Sequence, residues 1–170
     1  MELLRLTTAC DTLGFERATG RLVSLRSHAA PDQEFIAAAP EHPAFVIQYL
    51  EDGKYRQLTS LTAESVEVTG GETRLVARYH RLGGRELHVT FTVQAEAEDR
   101  FSHWGITVEN GAGLRIVDVQ FPFVVASYAL EGERAILWPL VMGDLLRNPA
   151  PDHLSPDFPF AWQFHPEHGD

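Results

Sequence analysis

The sequence predicts an all-β chain, an antiparallel β-sandwich with few or no helices. Residues 87–93 alternate Leu, Val, Phe and Val against His, Thr and Thr, the period-two pattern of a half-buried strand. Similar short runs recur at roughly 8–12 residue spacing, separated by glycine-rich turns, as in sandwiches and barrels. Nowhere does a 3.6-residue apolar stripe persist over three turns.

The elements follow in order. Phe15-Glu16 and residues 22–25 flank the turn Ala18-Thr19-Gly20. Residues 45–50 and 54–58 flank Glu51-Asp52-Gly53, and Asp-Gly is a preferred hairpin dipeptide because it tolerates positive φ. Residues 65–69 and 72–79 flank Gly70-Gly71, and residues 73–79 and 87–93 flank Leu82-Gly83-Gly84-Arg85. Residues 101–109 follow an acidic turn at 96–100 and alternate through Trp104, Ile106 and Val108, which marks Trp104 as core. Residues 114–121 follow Asn110-Gly111-Ala112-Gly113. Residues 58–66 and 143–146 each suggest a single helical turn. From residue 139 the texture changes, with Pro149, Pro151, Pro156, Pro159 and Pro166 close together, and such a tail cannot be a central strand. The expectation is one domain over 1–170 carrying a Pro-rich tail.

Bulk properties narrow the function classes. The 170 residues suit a single domain, and 44% hydrophobic with 22% charged content is globular. A formal charge of −10 with Lys54 as the only lysine argues against gripping a nucleic-acid backbone. The arginines are scattered, often beside acids, which reads as a solvated surface. Cys10, the single cysteine, excludes an internal disulfide and reads as a half-buried strand thiol. The N-terminus lacks a signal-peptide apolar stretch, and no segment approaches the roughly 20 apolar residues of a membrane span. A cytoplasmic location is expected, with neither nucleic acid nor membrane as partner.

Several segments, in order, resemble the N-terminal super-sandwich domain of bacterial glycoside hydrolases similar to endo-α-N-acetylgalactosaminidases, whose fold is galactose-mutarotase-like. They are Leu13-Gly14-Phe15-Glu16 with the run 19–25, Pro31-Asp32-Gln33-Glu34-Phe35-Ile36, the run Trp104 to Asn110, Ile116-Val117-Asp118-Val119-Gln120-Phe121-Pro122, and the stretch 137–149. The sequence departs after Asn148, where Ser155-Pro156-Asp157-Phe158-Pro159 replaces the usual Tyr-Pro-Gly. The resemblance implies a non-catalytic module that packs against a catalytic barrel of the same parent protein and contacts carbohydrate. It also implies truncation at the C-terminal end. The missing sheet would leave an open edge, for which a homodimer is a natural remedy.

Sugar contact needs exposed aromatics with polar groups beside them, which points to Trp138, Trp162, Asp144 and Phe160. Glu96, Glu98 and Asp99 share a turn where acids are ordinarily solvated, so no catalytic carboxylate pair is expected here. His165 and His168 carry metal-ligand side chains, but Pro166 breaks the helix that would align them. No metal and no cofactor are expected. Two alternatives remain: a stand-alone sugar epimerase, which needs His88 or His103 in a cleft with a carboxylate, and a self-associating interaction module.

Overall fold

In the computed structural model of the protein, the structure describes residues 2–37 and 42–127, together with the strands at 135–138 and 144–147. Two compact units divide the chain, Met1–Ser127 and Tyr128–Asp170.

The first unit contains ten strands: β1 (Leu3–Thr7), β2 (Asp11–Glu16), β3 (Leu22–Ser27), β4 (Val46–Glu51), β5 (Lys54–Thr59), β6 (Ser65–Gly70), β7 (Arg74–His80), β8 (Leu87–Gln94), β9 (His103–Asn110) and β10 (Arg115–Gln120). All pairings are antiparallel. They form sheets of order β1-β2-β3, β10-β4-β5 and β6-β7-β8-β9. The only helical pieces among the described residues are the 3-10 turns Ser60–Thr62 and Leu82–Gly84. Among the described residues of the second unit, β11 (Ala135–Trp138) pairs antiparallel with β12 (Asp144–Arg147).

The two three-stranded sheets are stitched into one layer by irregular chain. The Phe35 N–H donates to the Leu25 carbonyl at 3.0 Å, extending the β3 edge. The Ala37 N–H then donates to Val125 and the Ser127 N–H to Phe35, each at 2.8 Å, around an Ile36–Ala126 bridge. On its other flank this second segment bonds back to the chain just before β4, through Phe123 N–H to the Ala44 carbonyl. The Glu34 carboxylate closes the seam. It accepts from the Ser24 hydroxyl at 2.6 Å, the Leu25 N–H at 2.7 Å and the Ile36 N–H at 3.1 Å. A strand edge that would otherwise offer a bare N–H is thereby occupied.

The four-stranded sheet is the second layer. Leu75, Ala77, Tyr79, Leu87, Val89, Phe91 and Val93 are all at most 1% exposed, as the period-two pattern of β7 and β8 requires. Rings from the two layers interdigitate. Phe45 meets Tyr79 edge-on at 5.0 Å, Phe15 meets Trp104 at 5.5 Å, and Phe121 lies 5.3 Å from Phe91 and 5.9 Å from Trp104. Each such pair is worth about 0.5–1.5 kcal/mol beyond its area burial. The all-β antiparallel sandwich expected from the sequence is thus the fold.

The turns account for the hairpins. Asp52 (φ 51°) and Gly53 (φ 72°) are both left-handed, the pair a type I′ hairpin turn needs between β4 and β5. Some details differ from expectation. Cys10 lies in the β1–β2 turn, where its N–H donates to the Thr8 hydroxyl at 3.2 Å, because Thr8 folds the backbone locally and ends β1. The helical turn expected at 143–146 is overturned, since Asp144–Arg147 form strand β12, its backbone satisfied by β11. The turn expected within 58–66 is the 3-10 turn Ser60–Thr62, capped by the Thr59 hydroxyl accepting from Leu61 N–H. The prolines of the tail lie outside the described residues.

Candidate functional site

The outer face of the four-stranded sheet is built from the residues that alternate with the core. On β7 these are Arg74, Val76, Arg78 and His80; on β8 they are His88, Thr90, Thr92 and Gln94. Neither central strand carries an acid, although Asp and Glu make up 24 of the 170 residues. The outward acids stand on the flanking strands, Glu67 on β6 and Glu109 on β9. Register brings Arg78 opposite both Glu67 and Thr90, and His88 opposite Glu109.

At one end of this face lies a pocket of about 280 Å³, lined by Arg78, Tyr79, His80, His88, Val89, Thr90 and Glu109. The imidazoles of His80 and His88 meet edge to face, with centroids 5.6 Å apart. His88 Nε2 lies 3.4 Å from Glu86 Oε2, and its Nδ1 is buried without a hydrogen-bond partner among the described residues. Arg78 makes no ion pair or hydrogen bond among the described residues, even with Glu67 directly across from it; the Thr90 hydroxyl and the Glu109 carboxylate are equally uncommitted there. Buried polar atoms are ordinarily satisfied, so the unpartnered His88 Nδ1, beside the Arg78, Thr90 and Glu109 side chains in one concavity, marks a binding face.

The structure separates the two histidines considered from sequence. His88 lines the pocket. His103 stands exposed at the opposite end of its strand, across from Gln94 and away from the pocket. The pocket's second imidazole, His80, was not singled out in sequence. Its signal was present, since His80 and His88 each stand four residues from Gly84 and a symmetrical hairpin makes them neighbours.

Trp138 and Asp144 are direct register partners in the β11–β12 ribbon. Trp162 and Phe160 lie outside the described residues, as do His165 and His168. Glu96, Glu98 and Asp99 are exposed in the β8–β9 connection, where the Asp99 carbonyl accepts from Ala9 N–H at 2.7 Å. Trp104 is partly buried and packs on the core, its indole N–H donating to the Ser102 hydroxyl at 2.8 Å.

Perturbed acids sit elsewhere and serve the fold. The Thr19 hydroxyl and the Arg21 guanidinium, at 2.5 and 2.7 Å, hold the Glu16 carboxyl below its ordinary value. Burial pushes Glu34 up, but its bonds from Ser24, Leu25, Ile36 and Arg26 outweigh that and leave it lowered. Burial raises the Tyr79 phenol. Among the described residues no group of three or more His, Cys, Asp or Glu could hold a metal, and no helix is long and apolar enough to cross a membrane.

No protein-family model matches the chain, and no curated protein matches it.

Proposed function

We propose that the chain is a non-catalytic β-sandwich module of a glycoside hydrolase that contacts carbohydrate through the outer face of its four-stranded sheet. The observation that carries this reading is the pocket lined by Arg78, Thr90 and Glu109 with the unpartnered Nδ1 of His88, on an antiparallel sandwich. Saccharides present adjacent hydroxyls that both donate and accept, and a mixed set of this kind meets them. About 280 Å³ is at the small end of ligand pockets, which run from roughly 300 to 1,000 Å³, so one sugar ring is the natural occupant. The register pairing of Trp138 with Asp144 supports a second contact point. The ordered segment resemblance supports a parent enzyme whose catalytic barrel packs against this module. It also supports a homodimer through an open sheet edge when the barrel is absent; β5, an edge strand exposed over Lys54 to Gln57, offers one.

Isothermal calorimetry with methyl galactosides and glucosides tests the reading, using Arg78→Ala and Trp138→Ala as separate variants. Saccharide heat that Arg78→Ala removes is the expected result. Heat that survives in Arg78→Ala and disappears in Trp138→Ala moves the contact to the ribbon. No heat with any saccharide overturns the proposal.

One observation favours an epimerase as a second reading. His88, with its free Nδ1, lies 3.4 Å from the Glu86 carboxylate and across the register from Glu109, as an acid–base residue would. Polarimetry on freshly dissolved aldoses decides it: acceleration lost in His88→Gln supports it, and no acceleration removes it.

A further inference from the structure

We infer that the ligand of the outer-face pocket carries a negative charge, a carboxylate or sulfate on a saccharide, held by Arg78. The inference rests on the carbohydrate reading above and specifies its substrate class.

The argument starts from charge placement. A chain of formal charge −10 confines the outward acids of this sheet to its two edge strands. Its two central strands present Arg74, Arg78, His80 and His88 and no carboxylate. Arg74 and Arg78 thus carry the fixed positive charge of the two central strands, flanked by Glu67 on one edge strand and Glu109 on the other.

Of these two arginines, Arg78 is the one that lines the pocket. Its register neighbour Glu67 is the obvious partner, yet no ion pair joins them. The guanidinium instead lines the pocket beside the Thr90 hydroxyl and the two imidazoles. Its planar fork matches a carboxylate or sulfate with two parallel N–H···O bonds, and Thr90 lies across the pair as an additional O–H donor. Glu109, across from His88 on the edge strand, then faces the ring hydroxyls rather than the anion.

The test compares ligands that differ only in charge. The intact chain is titrated with methyl glucuronide and methyl glucoside, with methyl galacturonate and methyl galactoside, and with sodium sulfate. Calorimetry and the His Cε1–H resonances of His80 and His88 are followed. The expected result is at least tenfold tighter binding of each uronide than of its neutral counterpart. That preference should shrink with rising salt and vanish in Arg78→Gln, with Arg78→Lys intermediate because it keeps the charge and loses the fork. Arg78 is exposed on a strand, and an unchanged thermal midpoint shows that each variant is folded. Equal affinity for charged and neutral sugars overturns this inference and leaves the carbohydrate reading standing. A response to sulfate alone, lost in Arg78→Gln, keeps the anion site and removes the saccharide. A uronide preference that survives Arg78→Gln overturns the assignment to Arg78, and silence toward every probe overturns both readings.

Discussion

The Tyr79 hydroxyl donates to the carbonyl of Thr19 at 2.6 Å, pinning the centre of one layer to the β2–β3 turn of the other. The partners are far apart in sequence, and the phenol is otherwise sealed among Phe45 and Phe91. Tyr79→Phe keeps the ring packing and orphans the Thr19 carbonyl. It should cost about 1–2 kcal/mol in chemical denaturation, in the range for a buried hydrogen bond whose partner is left unpaired.

The same contact dictates the residue beneath it. Gly20 has φ +69°, and a Cβ there would come 2.7 Å from the Tyr79 hydroxyl oxygen. Gly20→Ala should therefore be more damaging than Tyr79→Phe, since it adds backbone strain to a clash. In Tyr79→Phe the penalty of Gly20→Ala should shrink, because the oxygen it strikes is gone. A double-mutant cycle measures the coupling, and strict additivity would refute the account.

Acid should loosen the layer seam. The carboxyls of Glu34 and Glu16 are both lowered in the folded protein, so each contributes stability above the unfolded value and loses it as pH falls through the folded one. Stability should hold near neutrality and decline below the ordinary carboxyl value of 4.5. Glu34→Gln should be less stable at pH 7 and show a shallower acid limb, as urea midpoints between pH 3 and 7 will reveal.

Arg81 occupies left-handed backbone at φ 55° while pairing with Glu64 at 3.3 Å and Glu86 at 3.7 Å. These are exposed pairs, worth little singly. Arg81→Gly loses them and relieves the backbone, whereas Arg81→Ala loses them and keeps the strain. Gly should exceed Ala in stability by about 1 kcal/mol, and the reverse order would show that the turn relaxes in another way.

His88 keeps a buried Nδ1 without a partner, a cost a structural residue would not carry. His88→Thr, which repeats the Thr90 and Thr92 pattern on that face, should raise the thermal midpoint by the equivalent of about 1 kcal/mol while abolishing saccharide binding. A destabilised variant would mean that the imidazole supports the sheet.

The legible parts of this fold were those encoded locally. Asp52-Gly53 and Leu82-Gly83-Gly84-Arg85 announce hairpins because positive φ is a residue-level property. The alternation in β8 announces its buried face in the same way. β1 was missed because Leu3-Leu4-Arg5-Leu6 does not alternate; its pairing with β2 decides it. β12 was misread because four residues cannot distinguish a turn from a strand without the partner β11. The pocket was half legible: the polar face of His88 followed from period two, but its meeting with His80, Arg78 and Glu109 depends on the register of three strands. Trp138 and Asp144 lie near each other in sequence, and the ribbon makes them register partners, whereas Trp162 and Phe160 lie outside the described residues.

The seam at Ile36 and Ala126 joins positions about ninety residues apart, and loop closure on that scale is slow and must precede its reward. On a ribosome, the early hairpins therefore emerge with their closing strand still unsynthesised. They have no native mate for the Ile36 edge until nearly the whole first unit is outside the tunnel. A chain stalled or cleaved before residue 126 would hold half a layer with a raw margin, the kind of intermediate that chaperones retain and proteases remove.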